Sequence, residues 1–187
     1  MRVIPWLMLL AAALPALAAD DPWVAEARGV AAAVPPKLLA VLTEAIAQGG
    51  PEGAIGVCRD KAPQMAQAAS AQSGWQIRRV SLLNRNPRAV PDNWEKAALV
   101  DFDRRAAAGE NPAALERAEV VPVDGRPTYR YVRALPTQEL CTSCHGAPEK
   151  LSPAVVARLR ELYPDDRAVG YSPGQIRGAI TLKRPAP

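Results

Sequence analysis

One short motif, Cys141-Thr142-Ser143-Cys144-His145, carries most of the chemistry that this sequence can do. It holds two of the three cysteines and the one histidine of the chain. Two thiols three positions apart on one helical turn can add to the two vinyl groups of a haem, and the adjacent imidazole can then donate a nitrogen to the iron. The motif therefore predicts one covalent haem c, attached through Cys141 and Cys144, with His145 as an iron ligand.

Two other uses of these residues compete with haem attachment. A Cys141–Cys144 disulfide or redox-active dithiol needs no cofactor, but the sequence does not predict the βαβ unit that would carry a thioredoxin-like motif. A zinc site is a further alternative, because Cys58 raises the number of nitrogen and sulfur ligands to four. Adjacent Cys144 and His145 would have to reach the same ion, which is an awkward geometry. A zinc-binding Cys3His structural protein is therefore our third hypothesis.

The sequence leaves several candidates for the second axial ligand of a haem. Such a haem usually takes this ligand from His or Met, and the chain has no second histidine. Beyond the first 18 residues Met65 is the one methionine, and Cys58 lies seven positions before it on the same predicted helix face. A lysine, the N-terminal amine or an open position completes the set. Spacing favours Cys58 without deciding between them.

The N-terminus favours export. Arg2 precedes an apolar run at 3–17, and Ala16-Leu17-Ala18 is a small-x-small site that a signal peptidase can cut. We expect a signal peptide at 1–18, a single haem domain at 19–187, and a periplasmic or secreted product. The run is short for a membrane span of about 20 residues, and we expect no later stretch of that length and no stable membrane anchor after signal removal.

Composition excludes several classes of protein. The 187 residues are 49% hydrophobic and 22% charged, which fits one globular domain and not a disordered chain. The net charge is +4, with no run of five like charges, and this does not indicate a nucleic-acid partner. Three cysteines are too few for a disulfide-stapled miniprotein, and in an oxidising compartment they leave at least one thiol without a disulfide partner.

The predicted elements make an α+β domain. Apolar periodicity, prolines and glycines predict helices at 21–48 (kinked or split at Pro35-Pro36 and stopped by Gly49-Gly50), 51–73, 92–109, 137–145 and 152–163, and strands at 76–83, 120–123, 128–134 and 176–183. The two central strands flank a turn at 124–127 and form a hairpin.

Several short segments are distinctive when they are taken together and in order: Gly56-Val57-Cys58, Ala62-Pro63, Arg79-x-Ser81-x-x-x-Arg85-Asn86-Pro87, Trp94-Glu95, Cys141 to Gly146, Tyr163-Pro164, Gly170-Tyr171 and Arg177-Gly178-Ala179-Ile180. Over roughly residues 30 to 184 they resemble an exported single-haem c-type domain family, first described in a cyanobacterial protein and classed as a domain of unknown function. The resemblance implies a PAS-like fold, with an antiparallel sheet and N-terminal and flanking helices.

The same resemblance implies the haem ligands. Cys141 and Cys144 would form the thioethers, His145 would be the proximal ligand of iron and Cys58 the distal one. Met65 is then the less favoured alternative for the distal position. Family members occur alone after a signal peptide or as the sensory part of histidine kinases and chemoreceptors. The implied partners are therefore a haem and a redox partner or signalling protein that the sequence does not name.

Two roles follow from a thiolate ligand, which favours Fe(III) and a low potential. If Cys58 leaves on reduction, CO or NO can bind, and the protein is a redox or gas-responsive haem sensor. If Cys58 stays, the protein is a low-potential one-electron carrier, a periplasmic cytochrome c. The lack of a distal histidine argues against an enzyme. Candidates for pairing with the haem propionates are Arg78, Arg79, Arg85, Arg130 and Arg133.

Overall fold

A four-stranded antiparallel sheet forms the centre of the structure, a computed structural model that describes residues 21–187. The strands are β1 (Gln76–Val80), β2 (Glu116–Val123), β3 (Arg126–Pro136) and β4 (Ile176–Pro185), in the order β1-β4-β3-β2. Helices accompany the sheet, so the predicted α+β class is confirmed. The signal peptide predicted at 1–18 lies outside the described residues.

The N-terminal helix α1 (Pro22–Ser73) consists of two helical segments joined at a break. Non-helical dihedrals fall at Gly49 and Gly50, and Gly50 has a φ of 67°, which glycine adopts without steric cost. The predicted stop at these glycines is confirmed. The predicted split at Pro35-Pro36 does not occur, because the backbone keeps helical dihedrals there and the fixed φ of proline is itself compatible with a helix.

One 18-residue window of α1 is apolar and long enough to cross a membrane, and 6% of it is buried. The expectation that no stretch after residue 20 approaches membrane length was therefore wrong. A single helix of this kind near the N-terminus is weak support for a membrane span, since core helices and signal sequences have the same composition. Near its start α1 packs on the sheet, where Ala27 and Ala31 are both 0% exposed.

The sheet is covered on both faces because neighbouring side chains of a strand point in opposite directions. On one face Tyr131 and Leu182 pack with Trp75 and the start of α1. On the other face Val132 packs with Phe102 of helix α2 (Asn93–Ala107). The predicted capping box of α2 is confirmed: the Asp92 side chain accepts from the Glu95 N–H, and the Glu95 side chain accepts from the Asp92 N–H.

The predicted hairpin is confirmed with a tighter turn than expected. Asp124 and Gly125, with φ values of 50° and 75°, make a two-residue connection between β2 and β3. Pro127 is not part of the turn, because it pairs with Pro122. Two residues with positive φ match the twist of the flanking strands, which explains why the shorter turn is preferred.

Short helical elements connect β3 to β4. The predicted helix at 137–145 is a 3-10 turn, Glu139–Cys141, followed by helix α3 (Thr142–His145). Helix α4 (Pro153–Leu162) follows and begins at the cap residue Ser152, as predicted. A further 3-10 turn in this connection is Pro148–Lys150, and two others lie earlier in the chain, at Pro87–Ala89 after β1 and at Pro112–Ala114 before β2. The connection from β3 to β4 places the Cys-x-x-Cys-His motif at the cavity that β1 and both segments of α1 also line.

Candidate functional site

A cavity of about 440 Å³ brings together the residues that the sequence analysis singled out. Cys58 from α1 lines it, together with Cys141, Cys144 and His145. The volume lies in the range of about 300–1,000 Å³ that is usual for small-molecule sites. Met65 is not among the lining residues, although Pro63 and Ala66 are. Of the two candidate distal ligands, the geometry therefore favours Cys58.

The break in α1 makes this cavity possible. Leu38 and Pro63 both line it, yet 25 residues of continuous helix would separate them by about 38 Å. Leu42, Ile46 and Ile55 complete an apolar wall from both segments. A larger cavity of about 810 Å³ lies against α2 and contains neither a cysteine nor a histidine, so it is separate from this chemistry.

The three thiols are free. Burial raises the pKa of Cys58, although the positive charges of Arg79 and Arg85 act to lower it. Burial also raises the pKa of Cys144. Within residues 21–187, no three side chains of His, Cys, Asp or Glu converge as a metal ion would require. The zinc alternative therefore has no preformed ligand cluster in the described part of the chain.

The imidazole of His145 is oriented by a backbone carbonyl. Its Nδ1 lies 2.6 Å from the Ala168 oxygen and 3.1 Å from Nε of Arg177. A carbonyl only accepts, so the shorter contact places the proton on Nδ1 and leaves the Nε2 lone pair free. Burial, followed by the charges of Arg177 and Arg85, lowers the pKa of His145 well below its usual value. The neutral ring is the form that ligates a metal.

An ion pair between Arg85 and Asp166 links the two segments that meet where His145 contacts Ala168. The pair lies 3.0 Å apart with side chains 11% and 10% exposed. Arg85 also donates to the Cys144 carbonyl at 2.6 Å, and the Asp166 carboxylate accepts from the Ala168 N–H at 2.9 Å. One ion pair therefore joins the motif to the loop that orients His145.

The backbone of the motif is fixed by the same loop. The Tyr171 N–H donates to the His145 carbonyl, and the Gly170 N–H donates to the Gly146 carbonyl, both at 2.8 Å. Arg177 is stacked over the Tyr171 ring at 5.4 Å. The loop after α4 thus supplies backbone contacts to the imidazole and to the main chain of the motif, and Arg177 at the start of β4 supplies the side-chain contact to the ring.

The cavity is strongly cationic. None of the described residues that line it is Asp or Glu. Five of them are arginines: Arg78, Arg79, Arg85, Arg88 and Arg177. Arg130 and Arg133, which the sequence also suggested, lie elsewhere. Arg130 pairs with Asp92 and Glu95, and Arg133 donates to the Ala113 carbonyl. An anionic ligand would find complementary charge in this cavity.

Several residues of the candidate site were not named individually as site residues in the sequence analysis. Arg88, Tyr163 and Arg177 line the cavity, and Asp166 and Ala168 support it. Tyr163 and Arg177 lie in segments that carry the family resemblance, which was a usable signal. Nothing in the local sequence distinguishes Asp166 from other exposed-looking acidic residues, because its role depends on Arg85, 81 residues before it.

Comparison with known proteins agrees with this architecture. The Tll0287-like family matches the chain over residues 16–185. The crystal structure of the cyanobacterial heme-protein Tll0287 is similar in fold, with a TM-score of 0.67 and 23% identity, over 90% of this chain and 98% of that one. Among curated proteins, none matches. The resemblance drawn from the sequence is confirmed, and because the family match spans nearly the whole chain, this protein belongs to the Tll0287-like family.

Proposed function

We propose that this chain binds one covalent haem c and acts as a redox or gas-responsive haem sensor. One observation carries the proposal: Cys58, Cys141, Cys144 and His145, from distant parts of the sequence, line one cavity. The cyanobacterial protein with a similar fold is described as a heme-protein. That description and the donor set of this chain support the same cofactor.

The residues present fit a haem in three respects. Cys141 and Cys144 are free thiols at the spacing that thioether attachment requires. His145 presents an unprotonated Nε2, and Cys58 supplies a sulfur from α1. Apolar walls suit a porphyrin ring, and a cavity lined by arginines without carboxylates suits a ligand that carries two carboxylates.

A bound haem would supply a one-electron Fe(III)/Fe(II) couple and, where an axial position opens, a binding site for CO or NO. His145 would hold the proximal position, because the Ala168 carbonyl keeps its proton on Nδ1 and its ring in one orientation. Cys58 would hold the distal position from the helical wall. In this arrangement the protein is a redox protein and not a catalyst of substrate turnover.

The unequal support of the two ligands favours the sensor over the electron carrier. His145 is held at its side chain by Ala168 and at its backbone by Tyr171. Cys58 Sγ has no hydrogen bond to any residue of the described range 21–187. Displacing the Cys58 side chain therefore breaks no hydrogen bond of its sulfur, whereas an electron carrier keeps both ligands in both oxidation states.

The test is an optical CO titration of the dithionite-reduced protein, produced in a host with c-type haem maturation. We expect rapid, saturable CO binding. A fully reduced protein that binds no CO would contradict the sensor and favour the low-potential electron carrier. The reduced Cys58→Ala variant is the control, because it must bind CO if the gas can enter the cavity. A chain without haem would contradict the cofactor and bring the zinc hypothesis back.

Export and the PAS-like character of the sheet belong to the same proposal. The signal-peptide pattern at 1–18 supports a periplasmic or secreted protein. Mass spectrometry of the protein from a periplasmic fraction tests this, because cleavage after Ala18 would leave Ala19 as the first residue. An uncleaved chain recovered from membranes would contradict it.

A further inference from the structure

Two of the five arginines that line the cavity have guanidinium groups without a partner among residues 21–187. Arg78 donates to Glu95 and to the Val90 carbonyl, and Arg85 pairs with Asp166. Arg177 donates to the Ser81 hydroxyl and lies against His145. By contrast, the guanidinium groups of Arg79 and Arg88 make no hydrogen bond and no ion pair with any residue between 21 and 187. These two cations are the ones available to a ligand.

Strand geometry explains why Arg79 differs from its neighbour. Successive side chains of β1 point to opposite faces. The Arg78 guanidinium therefore reaches Glu95 on α2, although Arg78 also borders the cavity, while Arg79 lies on the same face of β1 as Ile77. The Arg79 side chain is exposed, and no carboxylate of residues 21–187 pairs with it. A cation in such surroundings is stabilised when a carboxylate arrives.

Arg88 is placed beside β1 by the 3-10 turn Pro87–Ala89. The Ser81 N–H donates to the Ala89 carbonyl at 3.0 Å, which ties this turn to the end of β1. The Asn86 side chain accepts from the Arg88 N–H at 2.9 Å and fixes the start of the turn. The backbone of Arg88 is therefore held while its guanidinium stays free at the cavity wall.

We infer that Arg79 and Arg88 bind the two propionate carboxylates of the haem. Two unpartnered guanidinium groups match two carboxylates in number and in charge, and the cavity contributes no competing carboxylate from the described residues that line it. Arg85 and Arg177 act differently, because their contacts position the motif and His145. This inference rests on the proposed haem function.

Reversible haem binding provides the sharpest test. In the full chain with Cys141→Ala and Cys144→Ala, ferric haem and its dimethyl ester, which lacks free carboxylates, are titrated by absorption. We expect Arg79→Gln and Arg88→Gln each to weaken haem binding about tenfold and to leave binding of the ester unchanged. Arg79→Lys should retain most of the affinity, because lysine keeps the charge.

Arg126→Gln is the matched control, since it removes the same charge from an exposed position at the start of β3, and it should alter neither titration. Equal weakening of haem and ester by Arg79→Gln or Arg88→Gln would overturn the inference, because it would show a general structural role. Unchanged binding of both ligands would overturn it as well.

A second measurement uses the protein with covalent haem, so that the inference can be tested even if the chain with Cys141→Ala and Cys144→Ala does not fold. Resonance Raman bands of the propionate groups should shift in Arg79→Gln and Arg88→Gln and not in Arg126→Gln. Unchanged bands in a haem-loaded protein would overturn this inference alone. Absence of covalent haem from the wild-type chain would overturn the proposed function and this inference together.

Discussion

Nδ1 of His145 lies 2.6 Å from the backbone oxygen of Ala168, 23 residues further along the chain. The imidazole follows directly on Cys144, so the proposed haem attachment and iron ligation are adjacent in sequence, yet the orientation of the ring depends on a separate loop. Asp166 fixes this loop by accepting from the Ala168 N–H. The contact explains how a four-residue helix, α3, can present a defined nitrogen to the cavity.

Removing the negative charge of Asp166 should destabilise the fold strongly. Asp166→Asn leaves the Arg85 guanidinium buried without its counter-ion, and breaking such a pair costs about 3–5 kcal/mol. The free energy of unfolding, measured by chemical denaturation, should fall by about 3 kcal/mol. Asp101→Asn is the control, because its pair with Arg104 is exposed and should be worth less than about 1 kcal/mol. Equal losses in the two variants would contradict the buried ion pair.

Replacing Cys58 by alanine should change the haem without removing it. We expect covalent haem to be retained, because the proposed attachment uses only Cys141 and Cys144, while the ferric absorption and electron paramagnetic resonance spectra change from low-spin to high-spin as the distal sulfur is lost. Met65→Leu is the control and should leave both spectra unchanged, since Met65 does not line the cavity. An unchanged ferric spectrum in Cys58→Ala would rule out the axial assignment.

Gly178 should not tolerate a side chain. A Cβ at this position would overlap the Val80 carbonyl, a backbone atom at the end of β1 that cannot move cheaply, and would also meet the Ser81 Cβ at 3.2 Å. We expect Gly178→Ala to lower the free energy of unfolding by about 1–3 kcal/mol. Gly29→Ala should instead raise it by up to about 1 kcal/mol, because the site in α1 is open and alanine favours helix. Similar urea midpoints for the two variants would contradict this difference.

Acid should remove part of the stability that Glu116 contributes. Burial acts to raise the pKa of this carboxyl, but hydrogen bonds from Arg28 and from the Tyr131 hydroxyl outweigh it and leave the pKa below the usual 4.5. A folded-state pKa below the unfolded value means that this stability is present above about pH 4.5 and is lost as the pH falls through the folded-state pKa.

Denaturation curves between pH 7 and pH 3 test this prediction. The decline in the free energy of unfolding below about pH 4.5 should be smaller in Glu116→Gln, which has no carboxyl to protonate. Glu149→Gln is the control at an exposed position and should decline like the wild type. A wild-type slope that Glu116→Gln does not reduce would contradict the role of this cluster.

Features that depend on a few neighbouring residues could be predicted from the sequence. The α2 capping box needs only Asp92 and Glu95, three positions apart, and the hairpin needs only Asp124-Gly125 between alternating strands. The break of α1 could be predicted from Gly49-Gly50. The prediction of a split at Pro35-Pro36 was wrong, because two missing backbone N–H donors do not prevent helical dihedrals there. Short-range backbone preferences decide such features.

The proposed attachment chemistry could likewise be predicted from the sequence, because Cys141, Cys144 and His145 lie within one short stretch of chain. The rest of the site required the fold. Cys58 lies 83 residues before Cys141, and only packing of the broken α1 against β1 brings the two to one cavity. Strand alternation turns Arg78 and Arg79 to opposite faces, but only the packing of α2 gives Arg78 its partner Glu95, while Arg79 has no charged partner among residues 21–187. Long-range proximity and the pairing of charges are set by tertiary contacts, and local sequence does not encode them.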